Sequence, residues 1–208
     1  MMNKPAGNQE LRLGELLILA VLWMVFGFML WYYLSAFHGA PVRIISSEIL
    51  SALLGNDFQN IIPNPDRHFL FQVQTNIPFQ FPDGSREALG CIVNPLIFGY
   101  GLPLLFGLVM ASGVSLLRKA GVLFGGYLAV MLVQVWGVVW QSLKMLTFNF
   151  GADASRVVTE AGISHELIAL CYQLGVLIFP PLVPIVLWVL ANWTLIEQFT
   201  GWQKNTDS

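Results

Sequence analysis

The chain has 208 residues, of which 56% are hydrophobic and only 11% are charged, and its mean hydropathy is +0.67. A soluble domain carries about a quarter charged residues, so this composition predicts a protein that is dissolved mainly in lipid. The formal net charge of -2 provides no basic field for a phosphate backbone, which excludes nucleic acid as an expected partner.

Four apolar stretches are long enough to cross a bilayer as helices, at residues 16–37, 95–117, 121–143 and 167–193. The first continues through Trp31, Tyr32 and Tyr33, which is too long for a signal-peptide core and predicts an uncleaved signal anchor. Aromatic residues near the span ends, including Trp136 and Trp188, predict interfacial belts. We therefore predict a mainly α membrane protein, built as a four-transmembrane-helix bundle.

The orientation of the bundle depends on its shortest connection. Basic residues are equally numerous on the two sides, but the tight turn at Arg118 and Lys119 carries two cations and no acid. This turn and both termini are therefore predicted to be cytoplasmic. The predicted organisation is a cytoplasmic N-terminus with the first span at 1–37, an outward-facing insert at 38–94, spans two to four at 95–194 and a cytoplasmic tail at 195–208.

The insert is predicted to be a small α+β unit that folds against the membrane surface. Residues 42–54 have the spacing of an amphipathic helix, with Ile45, Ile49, Ala52 and Leu53 on its apolar side. Residues 68–77 and 86–93 read as two antiparallel strands joined at a Pro82-Asp83-Gly84 turn. Because an isolated hairpin is marginally stable, the helix or the bilayer is expected to cover its apolar side.

Polar residues at the start of the second span and within the third predict contacts between helices. Asn94 can cap the second span and Pro95 is tolerated at its first position. Gln134 and Gln141 are seven residues apart and share a helix face, and Lys144 follows near the outer boundary. Interhelical hydrogen bonds with a snorkelling lysine are one explanation, and a polar substrate groove is the other.

The fourth stretch combines Tyr172 and Gln173 with three prolines and is predicted to be kinked or broken. Pro180, Pro181 and Pro184 remove the amide hydrogens that a regular helix needs. Broken helices line transporter sites, but such folds usually contain a second broken helix in a repeated half, and FPPLVP has no second copy here. A small transporter or channel subunit is therefore a secondary hypothesis.

The residues that would suit catalysis are Cys91, His165 and Arg156, which the predicted topology places on the outer side. A thiolate, a base and a cation could form a cysteine peptidase or transpeptidase site, although a lone strand cysteine is more often a small buried residue. A disulfide between Cys91 and Cys171 is a further alternative. No ligand spacing predicts a metal site, and no cofactor is expected.

Three segments together resemble one family of membrane proteins. They are NPLIFGYGLPLL at the start of the second span, WQSLK at the end of the third and LCYQLGVLIFPPLVPIVLW across the fourth. With the long insert, they resemble the exosortase H-associated membrane protein family over most of residues 31–193. The positions that carry the resemblance are Asn94, Pro95, Tyr100, Gly101, Pro103, Trp140, Lys144, Tyr172, Gln173, Gly175, Pro181, Pro184 and Trp188.

The resemblance implies a multi-pass protein of the bacterial inner membrane with a periplasmic insert. It also implies association with exosortase H, a membrane transpeptidase-like enzyme that processes proteins with a C-terminal sorting signal. The expected function is that of a non-catalytic accessory protein, which binds the sorting enzyme or its membrane-anchored substrate. The sequence GCIVNP around Cys91 does not match the exosortase motifs, so no catalytic residue is carried over.

Overall fold

The computed structural model describes residues 13–80 and 84–193, which are mostly helical with one small sheet. The helices are α1 (Leu13–Tyr33), α2 (Ser35–Leu54), α3 (Leu96–Gly99), α4 (Gly101–Ala111), α5 (Leu116–Phe148), α6 (Ala152–Glu160), α7 (His165–Gln173) and α8 (Phe179–Ala191). The strands are β1 (Phe58–Pro63), β2 (Phe71–Gln80) and β3 (Arg86–Val93). A π-helical segment, Leu174–Ile178, joins α7 to α8 without a gap.

Three helical segments are long and apolar enough to cross a membrane: Gly14–Tyr33, Leu116–Phe148 and His165–Ala191. The predicted second span is instead a shorter apolar helix, Leu96–Ala111, which is interrupted at Tyr100. The predicted count of four spans is therefore not confirmed. This shorter helix packs antiparallel to α1, with Ala111 beside Leu16 and Gly107 against Ala20.

Helix α5 is longer than a bilayer requires, and its two halves have different surroundings. Its 33 residues extend over about 50 Å, whereas a hydrocarbon core is about 30 Å thick, and ordinary tilts do not remove the difference. Leu116, Leu128 and Leu132 in the first half are exposed, whereas Val138 and Leu143 in the second half are fully buried. The second half is the centre of a packed unit.

This unit, called the head below, consists of α2, the sheet, residues 133–148 of α5, α6 and the first turns of α7. Its core is one continuous apolar cluster. The fully buried members of the cluster are Val42, Leu50, Val73, Val93, Val138, Leu143, Leu146, Val158 and Ile168. The sequence-predicted insert is therefore only part of the unit, because α5, α6 and α7 supply the other side of its core.

The sheet has three strands in the order β1-β2-β3, and all pairs are antiparallel. The predicted pair is present, with its second strand at Arg86–Val93 and its first displaced to Phe71–Gln80. Sequence reasoning missed β1, which ends at Pro63. Pro78 lies where the register of β2 shifts, which is a position that tolerates proline. In the predicted turn, Gly84 has a φ of +85°, and Pro82 and Asp83 lie outside the described residues.

Helix α2 contains the predicted amphipathic segment, but it buries a different face. Ser46 is fully buried together with Val42 and Leu50, whereas Ile49 and Leu53 are exposed. The prediction placed Ile49 and Leu53 on the apolar side of the helix from their spacing alone. An apolar outer face is stable where lipid, rather than water, covers it.

The connection between α4 and α5 holds three helix ends together. Lys119 Nζ donates to the carbonyl of Met110 at 2.8 Å, and Arg118 donates to the carbonyl of Ala191. Both cations therefore interact with the negative, C-terminal ends of helices α4 and α8. The side chain of Trp188 is buried between α8 and α4, with its Nε1 3.1 Å from Leu108 O and 2.9 Å from Ser112 Oγ, and its place in an interfacial belt stays a prediction.

Candidate functional site

The proline-containing start of α8 is packed against the start of α4. Pro184 has no amide hydrogen, so the carbonyl of Pro180 lacks its usual helical donor. Gly101 lies directly against this carbonyl, and a β-carbon at Gly101 would overlap it and come within 3.0 Å of Pro184 Cγ. Only glycine allows α4 and α8 to approach this closely, so the predicted small residue and prolines form one interhelical contact.

A second contact joins α5 to the short helix α3. Gln134 is buried, and its Nε2 donates to the carbonyl of Pro95 at 3.2 Å. A β-carbon at Gly99 would overlap the Gln134 side chain, so this glycine provides the space for it. Asn94 Oδ1 accepts from the amide of Leu96 at 3.0 Å and caps α3, as its position predicted. These bonds connect polar groups of the apolar segments to each other within the chain.

The other predicted polar residues are only partly brought together. Lys144 Nζ lies 4.5 Å from the centre of the Tyr172 ring, which is a cation–π contact between α5 and α7. Gln141 has a buried Oε1 that accepts no hydrogen bond in the described part of the chain. Gln173 is exposed, one residue after Tyr172, and Pro181 is half-buried. Tyr100 is also half-buried, at the break between α3 and α4.

The three residues predicted for cysteine catalysis are in different surroundings. Cys91 is buried on β3 opposite Val73, and burial raises the pKa of its thiol to about 12. Arg156 is exposed and pairs with Asp153 at 3.8 Å and with Glu160 at 3.7 Å. Such a thiol is protonated at neutral pH, so it is not an activated nucleophile.

His165 contacts residues of α5 and α6 rather than Cys91. Its Nε2 lies 3.5 Å from Ser155 Oγ and 3.4 Å from Thr159 Oγ1, and its ring contacts Phe148. It thus joins the start of α7 to α6, and neither Cys91 nor Arg156 is among its polar contacts in residues 13–80 and 84–193. Cys91 and Cys171 are both free thiols, so the alternative disulfide is absent from this structure.

Sequence reasoning missed that Trp136 joins two helices. Trp136 Nε1 donates to the carbonyl of Cys171 at 2.9 Å, next to the π-helical segment. Its ring also contacts Gly175 and Phe179. A tryptophan near the end of a span suggests an interfacial belt. A role in joining helices could have been predicted from the neighbouring irregular helix, whose carbonyls lack their usual helical donors.

An open apolar groove lies where α1, α2, α4 and α5 meet. Its volume is about 250 Å³, and its walls include Leu30, Trp31, Phe37, Leu102, Phe106 and Tyr127. Pro103, predicted from the family resemblance, is buried in the same wall. Sequence reasoning missed this groove because its residues come from four separate segments.

Trp31 and His38 form the end of the groove next to the head. Their rings are stacked, with centres 5.9 Å apart, and His38 Nε2 lies 3.1 Å from the carbonyl of Trp31. Burial lowers the pKa of His38, although its bond to the Trp31 carbonyl opposes the shift. The indole Nε1 of Trp31 is buried and has no acceptor among the described residues. The groove therefore presents an apolar surface with a neutral polar end.

No group of three His, Cys, Asp or Glu side chains that could hold a metal ion occurs in the part of the chain that the structure describes. A family model described as exosortase H-associated membrane protein matches residues 10–195. No curated protein and no solved structure matches the chain. The matched range includes the head, both interhelical contacts and the groove.

Proposed function

This chain belongs to the exosortase H-associated membrane protein family, and we propose that it is a non-catalytic accessory subunit of an exosortase-type protein-sorting system. In this proposal it lies in a bacterial inner membrane, with its head in the periplasm and both termini in the cytoplasm. Its partner is exosortase H itself or the membrane-anchored protein that exosortase H sorts. The lipid bilayer is its solvent.

The observation that carries the proposal is how the polar side chains of the apolar segments are used. Gln134 and Trp136 bond to backbone carbonyls of the chain itself, and Lys144 lies over Tyr172. Cys91, the strongest candidate nucleophile, is a buried thiol in the core of the head. These residues thus have structural partners or a buried position, which favours a scaffold over a catalyst.

The partner surface is proposed on the outer side of α7 and the π-helical segment. Gln173 is exposed there and makes no hydrogen bond to the described residues, and Leu177, four residues later, is also exposed. A polar side chain on an apolar helix prefers a protein partner to lipid, because hydrocarbon offers it no hydrogen bond. Gln173 is therefore the residue that we expect to contact the sorting enzyme.

Site-specific crosslinking from the native membrane tests this surface. A photoreactive amino acid at position 173 should capture exosortase H or its substrate, and the same group at the exposed Ile18 of α1 is the matched control. Capture of a sorting protein from 173 but not from 18 supports the proposal. Capture of lipid alone from both positions counts against it.

A variant at Cys91 separates the accessory function from catalysis. Cys91→Val retains an apolar side chain of similar size, so sorting of an exosortase substrate should continue at near its normal rate. Abolished sorting in a correctly folded Cys91→Val protein would restore the enzyme hypothesis. Unchanged sorting after deletion of the whole chain would overturn the accessory proposal.

A further inference from the structure

The groove between α1 and α4 has the properties of a lipid site rather than of a protein-docking site. We propose that it binds one acyl chain of a glycerophospholipid, with the ester end of that chain at the level of Trp31. This inference does not depend on the proposed accessory function. It rests on the size of the groove, its place on the membrane-facing surface and the chemistry of its polar end.

The size of the groove suits a hydrocarbon chain. The groove holds about 250 Å³ and is lined almost wholly by apolar side chains. An extended hydrocarbon chain is much thinner than an α-helix, which is about 10 Å wide with its side chains. A groove of this kind therefore has room for a single chain.

The position of the groove makes acyl chains its immediate surroundings. Leu30 and Leu34 in its walls are 43% and 42% exposed, and only 17% of the apolar window of α1 is buried. The groove is thus continuous with the surface that α1 presents to the hydrocarbon. An empty apolar groove would forfeit dispersion contacts that a neighbouring chain can supply.

The polar end indicates which part of the lipid lies there. Trp31 lies two residues before the end of α1 at Tyr33, and tryptophan typically lies at the depth of the lipid carbonyls. The buried indole N–H of Trp31 lacks an acceptor, and a small side-chain shift would allow an ester oxygen to provide one. His38 bonds to the Trp31 carbonyl and is kept neutral by burial, so this end favours a neutral ester over a free carboxylate.

Photolabelling of the full chain tests the proposal. The chain would be placed in nanodiscs of phosphatidylethanolamine and phosphatidylglycerol that contain a phosphatidylethanolamine with a diazirine in one acyl chain. Mass spectrometry then locates the labelled residues. We expect Leu102 and Phe106 to be labelled about five-fold more than Phe124, an exposed residue of α5 outside the groove. Equal labelling of the groove and of Phe124 would overturn the proposal.

Two matched variants on α1 strengthen the test. Leu30→Trp fills the groove and should lower the labelling of Leu102 and Phe106 about five-fold. Leu22→Trp adds the same ring to an exposed position outside the groove, so the labelling of Leu102 and Phe106 should change by less than about two-fold. Leu102→Phe fills the groove from α4 and provides the same test if Leu30→Trp does not fold. Groove labelling that persists in the folded filling variants would contradict a lipid occupant.

Discussion

The head and the membrane-facing part of this protein are held together by different kinds of contact. In the head, large apolar side chains such as Leu50 and Leu143 are fully buried in one cluster. In the membrane-facing part, helices meet at Gly101 and Gly107, where a β-carbon would collide with the backbone of the neighbouring helix. Most large apolar side chains of α1 are exposed instead.

We attribute the difference to the solvent that each part meets in the proposed placement, which is water for the head and lipid for the other helices. Water drives apolar side chains of the head into a common core, at about 25 cal/mol for each Å² buried. Lipid provides no such drive between helices, so close backbone approach and hydrogen bonds replace it. Helix α5 belongs to both parts, because leucines are exposed in its first half and a face of valine and leucine side chains is buried in its second half.

The largest effect should come from truncating the core of the head. Leu143→Ala removes a fully buried side chain and should lower the free energy of unfolding by about 2–5 kcal/mol. Leu132→Ala, on the same helix but 62% exposed, is the matched control and should change it by less than about 1 kcal/mol. Unfolding in mixed micelles with increasing dodecyl sulfate measures both. Similar losses in the two variants would mean that α5 is not divided between two solvents.

The second effect tests close approach in the membrane-facing part. Gly101→Ala forces a β-carbon into the Pro180 carbonyl and should destabilise the fold by about 1–3 kcal/mol. Gly125→Ala places the same methyl group in open space within α5 and should stabilise by up to about 1 kcal/mol, because alanine is the better helix former. The same micelle titration compares them. A stabilised Gly101→Ala protein would show that α4 and α8 do not depend on this contact.

A smaller effect is expected from the hydrogen bonds that replace hydrophobic contact. Trp188→Phe removes the indole donor that faces Leu108 O and Ser112 Oγ, and should cost about 0.5–1.5 kcal/mol beyond the change in packing. A double-mutant cycle with Ser112→Ala isolates the indole–hydroxyl pair. A coupling energy near zero would make Trp188 a packing residue only.

Local patterns in the sequence predicted the elements whose partners are local. The turn residues and alternation around Arg86–Val93 predicted β3 and its antiparallel pairing, and the three prolines predicted the irregular helix between α7 and α8. The same reasoning failed where an element packs against segments that are distant in the sequence. The buried face of α2 includes Ser46 because β1 and α5 pack there, whereas periodicity alone placed Ile45, Ile49, Ala52 and Leu53 on the apolar side.

The candidate site was predictable in composition but not in arrangement. Gly101, Pro184 and Gln134 were identified as packing residues, yet only the fold pairs Gly101 with Pro180 and Gln134 with Pro95. The groove has no sequence signature, since its walls are apolar residues of four helices that resemble any other lipid-facing residues. The predicted second span has the composition of a transmembrane helix, but its helix stops at Ala111 and is interrupted at Tyr100.

The smallest effect at neutral pH should come from Cys91, and it tests whether this thiol belongs to the water-driven core. Burial raises the pKa of Cys91 from 9.0 to about 12, so the folded state holds the thiol proton more tightly than the unfolded state does. The stability that this provides is fully present below pH 9 and is lost as the pH rises from 9 towards 12, by up to about 1.4 kcal/mol per pH unit. Cys91→Val should match the unmodified chain at pH 7 and lose less stability between pH 9 and 11.

The two proteins share every other titratable group, so the difference between the two stability curves reports Cys91. Parallel curves would mean that the thiol is as solvated in the folded chain as in the unfolded one. Alkylation gives an independent measurement, because a buried protonated thiol should react with iodoacetamide only after unfolding. Rapid modification of Cys91 itself, distinguished from Cys171 by mass spectrometry of the peptides, in the folded chain at pH 7 would place Cys91 at a solvated surface and separate β3 from the core of the head.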